Sequence, residues 1–204
     1  MTHTNTNFKI LREETELAGW NVHNHLKDKS LEELQEIVAR DRHPFSVMCL
    51  NITGSLNTGN IIRTSHAFGA EQVFVVGRKC FDGRSMVGSN KYFPVHKVDA
   101  IKEDCTIDLD IVNNVFEDNK LCPIFVETGG RDYRKFNWNK MHDCASDFGH
   151  NLCLVMGNEG IGIPQELMVN SVIVSIPQRG CIRSINVSSA FSIVCSHMVN
   201  QVWD

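Results

Sequence analysis

The sequence predicts an α/β fold, with a mostly parallel sheet covered by helices on both faces. The segments 47–50, 72–76 and 152–156 are continuously apolar apart from Gln72, rather than alternating, which is typical of strands buried on both faces. Helical patterns separate these runs along the chain, and parallel strands need crossover connections of this kind. The two observations together favour a sheet between two helical layers.

The first part of the chain predicts an extension, residues 1–45, with one helix. Ser30 and Glu33 have the spacing of a capping box at a helix N-terminus. Four apolar residues then share one helical face: Leu31, Leu34, Ile37 and Val38. Pro44 disfavours helix at the residue before it, so the helix should end near Asp41. The main domain is expected to span residues 46–204.

The remaining elements follow in order along the main domain. Strands are predicted at 47–50, 72–76, 123–127, 152–156 and 172–176, and helices at 57–68 and 107–119. In the helix at 57–68, the side chains expected to face inward are Ile61, Ile62, Ser65 and Phe68. A final amphipathic helix carries an apolar stripe of Val187, Ala190, Phe191, Val194, Met198 and Val202.

Composition is typical of a globular protein and argues against a protein that coats nucleic acid and against a disulfide framework. The 204 residues are 42% hydrophobic and 22% charged, with a formal net charge of −4, unlike a protein that coats nucleic acid. A local basic patch could still hold RNA. The eight cysteines form no C-x-x-C pair, so reduced thiols are expected. The spacing of His142, Cys144, His150 and Cys153 matches no usual zinc pattern, and no metal is expected.

The N-terminal residues and the lengths of the apolar runs indicate where in the cell the protein is expected. Residues 1–7 are polar and Glu13, Glu14 and Glu16 follow, a pattern unlike a secretory signal or an Arg-rich transit peptide. No apolar run approaches the roughly 20 residues that a membrane span needs. We therefore expect a cytoplasmic protein without a membrane partner, and a nuclear location stays open.

Three segments that follow predicted strands carry candidate chemistry, because open α/β sheets bind ligands at the carboxyl ends of their strands. The first runs from Asn57 to Arg63 and includes Gly59. Asn57 and Arg63 are nearly two helical turns apart, so they are expected to converge only if Asn57 precedes the helix. A turn with an N-cap and a surface ion pair are the structural alternatives for these residues.

The other two segments are richer in glycine and small polar groups. Residues 156–164 contain Gly157, Gly160 and Gly162 around Glu159, which allows a close backbone approach to a ligand. Residues 176–190 lead from a strand into the last helix and contain four small polar residues: Ser184, Asn186, Ser188 and Ser189. Helix capping explains one or two of these. The rest predict a binding site formed by backbone N–H groups and short side chains.

In this order, the three segments resemble the motifs of the SpoU–TrmH family of RNA ribose 2′-O-methyltransferases, in the SPOUT superfamily. The resemblance covers about residues 46–204 and rests on residues 57–63, 154–160 and 176–188. It implies a C-terminal deep trefoil knot, a homodimer, and S-adenosylmethionine held by Thr128, Gly157, Ile176 and Ile185. Ile185 stands where family members usually have Leu, a change that conserves side-chain volume.

The resemblance also implies the catalytic group: Arg63, Asn57, Glu159, Ser184 and Asn186. Arginine is protonated at pH 7, so Arg63 is expected to clamp a phosphate and stabilise the developing alkoxide. The other four would orient Arg63, the ribose and the cofactor. The segment from Gln178 to Ser184 is similar to members that methylate a tRNA D-loop guanosine, and rRNA is an alternative. A non-catalytic RNA-binding module and a base-nitrogen methyltransferase are the other interpretations.

Two basic segments are candidates for RNA contact. In the first, Arg131, Arg134 and Lys135 are interleaved with Tyr133 and Phe136, a combination that can hold phosphates and stack on bases. A solvated loop anchored to the core by its aromatic residues is an equal alternative. The second candidate comprises Arg78, Lys79, Arg84 and Lys91.

Overall fold

The structure is a computed structural model that describes residues 21–77 and 83–203. The predicted N-terminal helix is α1 (Leu31–Arg40), which follows a short 3-10 turn at Asn24–Leu26. Its capping box is formed as predicted, because Glu33 N–H donates to Ser30 Oγ and Ser30 N–H donates to Glu33 Oε2. Arg78 and Lys79 of the second basic segment lie outside the described residues.

The prediction of a parallel sheet is confirmed. Its six strands are β1 (His43–Leu50), β2 (Ala70–Val76), β3 (Val95–Val98), β4 (Leu121–Asp132), β5 (Asn151–Met156) and β6 (Val172–Ser175). They lie in the order β3-β2-β1-β5-β4-β6, and neighbouring strands pair in parallel. Along the chain, β2 and β3 are added on one side of β1, and β4, β5 and β6 then form the other side of the sheet. Adjacent carboxyl ends of β1 and β5 therefore form a topological switch point.

Helices cover the sheet on both faces, as predicted. They are α2 (Ser55–Ala67), α3 (Gly83–Met86), α4 (Leu109–Asp118), α5 (Trp138–Asp147), α6 (Gln165–Met168) and α7 (Val187–Val202). Alternate residues of β1 point to opposite faces, so Val47 joins one apolar cluster and Met48 the other. The first cluster takes side chains from α2, α5 and α7, and the second from α4 and α6.

The apolar stripe of α7 is buried within the chain. Phe191, Val194 and Met198 each have 0% exposure and join the cluster that includes Ile61 and Ile62 of α2. Packing within the chain thus accounts for the stripe without a subunit interface. The trefoil knot depends on threading, which strand order alone does not define, and it stays a prediction. No helix in the described part of the chain is both long and apolar enough to cross a membrane.

Three of the boundaries that differ from the sequence predictions affect the domain limit or the site. β1 begins at His43, inside the predicted extension, and Phe45 is fully buried. α2 begins at Ser55, so Asn57 lies in its first turn rather than in a preceding loop. β4 continues beyond residue 127 to Asp132, because Arg131 and Asp132 resume pairing with β6 after a register shift.

Candidate active site

A pocket of about 320 Å³ lies where the middle of β4 meets the loops after β5 and β6. Its walls come from residues 126–128, 156–159 and 184–187, with Gly162, Ile176, Gln178 and Ala190. All four predicted cofactor residues line it: Thr128, Gly157, Ile176 and Ile185. Glu159, Ser184 and Asn186 of the predicted catalytic group line it as well. The pocket thus lies at the sheet edge where α/β proteins place their ligands.

Glu159 joins the loop after β5 to the start of α2. Its Oε2 accepts the Thr53 N–H at 2.7 Å. Its Oε1 accepts the Gly54 N–H at 3.0 Å and the Asn57 side-chain amide at 2.8 Å. Gly54 is the N-cap of α2 and offers no capping side chain, so the carboxylate occupies the end of the helix where negative charge is favoured.

These donors control the ionisation of Glu159. Partial burial by itself would raise the pKa of its carboxyl, which has an ordinary value of 4.5. Hydrogen bonds from Asn57, Thr53 and Gly54 favour the charged form and outweigh burial, so the pKa is lowered. Glu159 is therefore a carboxylate at neutral pH, and an acceptor for every group that binds it.

Asn57 connects Glu159 to the third motif segment. Its Oδ1 accepts the Asn186 side-chain amide at 2.9 Å. Asn186 is the N-cap of α7, and its Oδ1 accepts the N–H groups of Ser188 and Ser189 at 2.9 and 3.3 Å. Asn186 thus caps α7 and also bonds to Asn57 of the first motif segment. The second contact goes beyond helix capping.

Arg63 is not brought into this arrangement. It follows Asn57 by six residues in the same helix, about one and two-thirds turns, so the two side chains leave α2 in different directions. Arg63 is exposed and is not among the residues that line the pocket. Within a single chain, the structure therefore does not unite it with Glu159, Ser184 and Asn186.

Asn158 and Glu127 are functional candidates that the sequence analysis missed. Asn158 donates from Nδ2 to the Asn51 carbonyl at 2.7 Å and to Thr53 Oγ1 at 2.8 Å. Its Oδ1 accepts from the N–H groups of Gly160 and Ile161, which shapes the glycine-rich turn. Glu127 is a carboxylate at the end of an otherwise apolar run in β4, and that position was the available signal.

The basic segment from Arg131 to Lys135 is partly neutralised. Arg134 donates from Nε and Nη2 to the two carboxylate oxygens of Asp132, at 2.9 and 2.7 Å. The Arg134 guanidinium holds the pKa of Asp132 at about 2. Arg131 and Lys135 are exposed and have no ion-pair partner among the described residues. These two cations are therefore the available ones in the segment.

The aromatic residues of this segment pack against the main core. Tyr133 meets His197 edge-on, with ring centroids 5.0 Å apart, and Phe136 meets Trp138 at 4.8 Å. Both rings are partly buried against the cluster that contains α7. This packing favours anchoring of the segment over stacking on bases.

The described residues contain no group of three or more His, Cys, Asp or Glu side chains that could hold a metal ion.

A parallel α/β sheet with a pocket beside β4 and at the carboxyl ends of β5 and β6 defines a ligand-binding α/β domain. The model of the SpoU rRNA Methylase family matches residues 44–196. The chain therefore belongs to this family of RNA methyltransferases. No curated protein matches the chain significantly.

Solved structures share the fold at low sequence identity. A TrmH/SpoU tRNA modifying enzyme from A. aeolicus has a TM-score of 0.64 and 21% identity, over 84% of this chain and 81% of that one. An AdoMet-bound rRNA methyltransferase from Sinorhizobium meliloti has a TM-score of 0.62 and 23% identity, over 84% and 61%. The SpoU methyltransferase AviRb from Streptomyces viridochromogenes, in complex with AdoMet, has 0.59 and 26%, over 78% and 58%. The last two proteins are thus considerably longer than their match with this chain.

Proposed function

We propose that the protein transfers a methyl group from S-adenosylmethionine to a ribose 2′-hydroxyl of structured RNA. The observation that carries this proposal is the hydrogen-bonded series Glu159, Asn57 and Asn186, which joins the three motif segments beside one pocket. The first substrate class to test is tRNA, with a D-loop guanosine as the nucleotide, because of the resemblance at residues 178–184. The alternative substrate class is rRNA.

The pocket fits S-adenosylmethionine in size and chemistry. About 320 Å³ lies within the usual range for small-molecule sites. Ile176, Ile185 and Val187 provide apolar walls for an adenine ring, while Glu127 and Glu159 provide negative charge near a cationic ligand. Two structural neighbours contain AdoMet, which supports the same cofactor here.

The chain's own residues have separate parts in the reaction. When bound, the cofactor would supply a sulfonium methyl group: the 2′-oxygen would form the new C–O bond, the C–S bond would break to a neutral thioether, and the hydroxyl proton would pass to solvent water. Asn57, Glu159 and Asn186 hold the loops that form the pocket. Ser184 exposes a hydroxyl at the pocket wall and can hydrogen-bond to the incoming ribose. Such positioning accounts for a large part of catalysis when the nucleophile is weak.

Arg63 is proposed to bind the phosphate next to the target ribose and to stabilise the developing alkoxide. Its exposed position outside the pocket lining requires RNA, or a second copy of the chain, to complete the site. A homodimer is proposed from the family resemblance. Since the apolar stripe of α7 is buried internally, a dimer interface must use other surfaces.

The test is methyl transfer by purified protein to tRNA and rRNA, followed by nucleoside mass spectrometry. We expect 2′-O-methylated nucleosides. The Arg63→Ala variant should retain cofactor binding and thermal stability while turnover falls about a hundredfold, the usual cost of a lost charge-stabilising group. Arg40→Ala is the matched control, since Arg40 is exposed on α1 and, among the residues that the structure describes, forms its one ion pair with Glu36 across one helical turn.

Other outcomes separate the alternatives. Methyl groups found on a base nitrogen would contradict the ribose target. Binding of RNA and cofactor without transfer to any RNA would indicate the non-catalytic module. Full activity of Arg63→Ala would place the charge stabilisation on another residue.

A further inference from the structure

The pocket carries net negative charge. Two carboxylates line it, Glu127 and Glu159, and the described residues that form its walls include no lysine, arginine or histidine. Glu159 is already bonded to Thr53, Gly54 and Asn57. Those three donors do not line the pocket and hold the Glu159 carboxylate toward α2, whereas Thr128, which donates to Glu127, is itself a pocket residue.

Hydrogen bonds from the protein fix the position of Glu127. Its Oε1 accepts the Thr128 N–H at 2.7 Å and the Thr128 hydroxyl at 3.1 Å. Its Oε2 accepts the Ile163 N–H at 3.3 Å. A carboxylate has about four acceptor positions, so at least one remains free. These neutral donors orient the group, and no cation within the described residues pairs with it, so its charge is not neutralised.

The glycine-rich loop packs directly against this carboxylate. Gly162 has φ +71°, and a Cβ atom there would lie 2.6 Å from Glu127 Oε2. Only glycine allows both the backbone conformation and the close approach. Glu127 thus faces the pocket from a fixed place between the middle of β4 and the loop after β5.

We propose that Glu127 is a specificity-determining residue that makes the pocket favour positively charged S-adenosylmethionine over its uncharged product, S-adenosylhomocysteine. This inference rests on the proposed cofactor and does not depend on the RNA target. S-adenosylmethionine carries a net charge of about +1 at neutral pH because of its sulfonium, and the product loses that charge with the methyl group. Electrostatic attraction therefore falls when transfer is complete, which promotes exchange of product for fresh cofactor.

Calorimetric titration with the two ligands tests the inference. The selectivity is the ratio of the Kd for S-adenosylhomocysteine to the Kd for S-adenosylmethionine. In Glu127→Gln this ratio should fall about tenfold from the wild-type value, as expected when one charge–charge attraction in a partly desolvated site is removed. Sinefungin bears an amine in place of the sulfonium, so its binding to Glu127→Gln should weaken together with that of S-adenosylmethionine.

Two further variants separate charge from structure. Glu127→Asp keeps the charge but shortens the side chain, so both ligands should weaken while the ratio stays within about twofold of wild type. Glu166→Gln, an exposed carboxylate on α6 outside the pocket, should change neither Kd. Thermal melting without ligand checks that each variant is folded.

The outcomes distinguish this inference from the proposed function. Failure of the wild-type protein to bind either ligand, alone or with RNA, would overturn the cofactor assignment and this inference with it. Binding of both ligands with the same ratio in wild type and Glu127→Gln would overturn this inference alone, and would leave Glu127 as a structural link between β4 and the loop. A Kd ratio in Glu127→Asp as low as that in Glu127→Gln would also contradict the role of charge, because Asp keeps the charge.

Discussion

The Asn57 side chain donates to Glu159 at 2.8 Å, although the two residues are 102 positions apart in sequence. Its Oδ1 also accepts from Asn186, whose own Oδ1 accepts from the N-terminus of α7. A carboxylate can only accept and backbone N–H groups can only donate. The carboxylate at one end of the series and the N–H groups at the other therefore fix the orientation of both side-chain amides. Each amide donates toward Glu159 and accepts from the side of α7.

Replacing Asn57 tests the direction of this series. Asn57→Asp places a second carboxylate against Glu159, whereas Asn57→Ala only removes hydrogen bonds. We expect Asn57→Asp to be less stable than Asn57→Ala by about 1–3 kcal/mol at pH 7, because like charges meet where a donor is required. Urea unfolding at pH 7 measures the difference. Equal stability of the two variants would mean that Asn57 is not a required donor.

Glu159 should make stability depend on pH in the acid range. Its pKa is lowered in the folded protein from an ordinary value of 4.5, so its stabilising contribution is complete above that value. The contribution is lost as pH falls through the lower, folded-state pKa. The difference in unfolding free energy between wild type and Glu159→Gln should thus be constant from pH 7 to about 5 and shrink below about 4.5. Urea unfolding as a function of pH measures it, and a difference that grows on acidification would contradict the lowered pKa.

Sequence patterns predicted five of the six strands described and four of the helices, α1, α2, α4 and α7, because their signals are local. The short strand β3 and the helices α3, α5 and α6 were not predicted. The continuous apolar runs of β1, β2 and β5, the capping box at Ser30 and the stripe of α7 depend on neighbouring residues alone. The start of α2 was placed too late, because its N-cap is Gly54 and the stabilising carboxylate comes from Glu159, a residue far along the chain. No local pattern carries that information.

The site was predicted unevenly for the same reason. The four cofactor residues line one pocket, as the family resemblance implied, while their role stays a prediction. Arg63 was assigned from its motif, but helix geometry directs it away from Asn57. Glu127 and Asn158 escaped notice because their importance comes from contacts with Ile163 and Asn51, which only the folded chain brings close.

The glycines around Glu159 should differ in their tolerance of a methyl group. A Cβ atom on Gly157 would lie 2.6 Å from Ile163 Cγ1 and 2.7 Å from the Gly162 carbonyl carbon. On Gly160 the one contact within the described part of the chain would be with Asn158 Oδ1, at 3.4 Å. Gly157→Ala should therefore cost about 1–3 kcal/mol through overpacking and weaken cofactor binding, whereas Gly160→Ala should change both little. Thermal melting and calorimetry test the pair, and tolerance of Gly157→Ala would show that the loop can move aside.

RNA binding should depend on Arg131 and Lys135 more than on Arg134, which Asp132 already neutralises. Each phosphate contact contributes about one unit to the slope of log K against log salt concentration. The Arg131→Ala/Lys135→Ala variant should thus reduce this slope by roughly two units and leave cofactor binding unchanged. Asp132→Asn/Arg134→Ala is the matched control, because it removes one charge of each sign and keeps the net charge of the segment. Filter binding of tRNA over a range of salt concentrations measures both slopes. If the first variant keeps the wild-type slope, RNA docks elsewhere on the protein, and if both variants lose it equally, the Asp132–Arg134 pair itself contacts RNA.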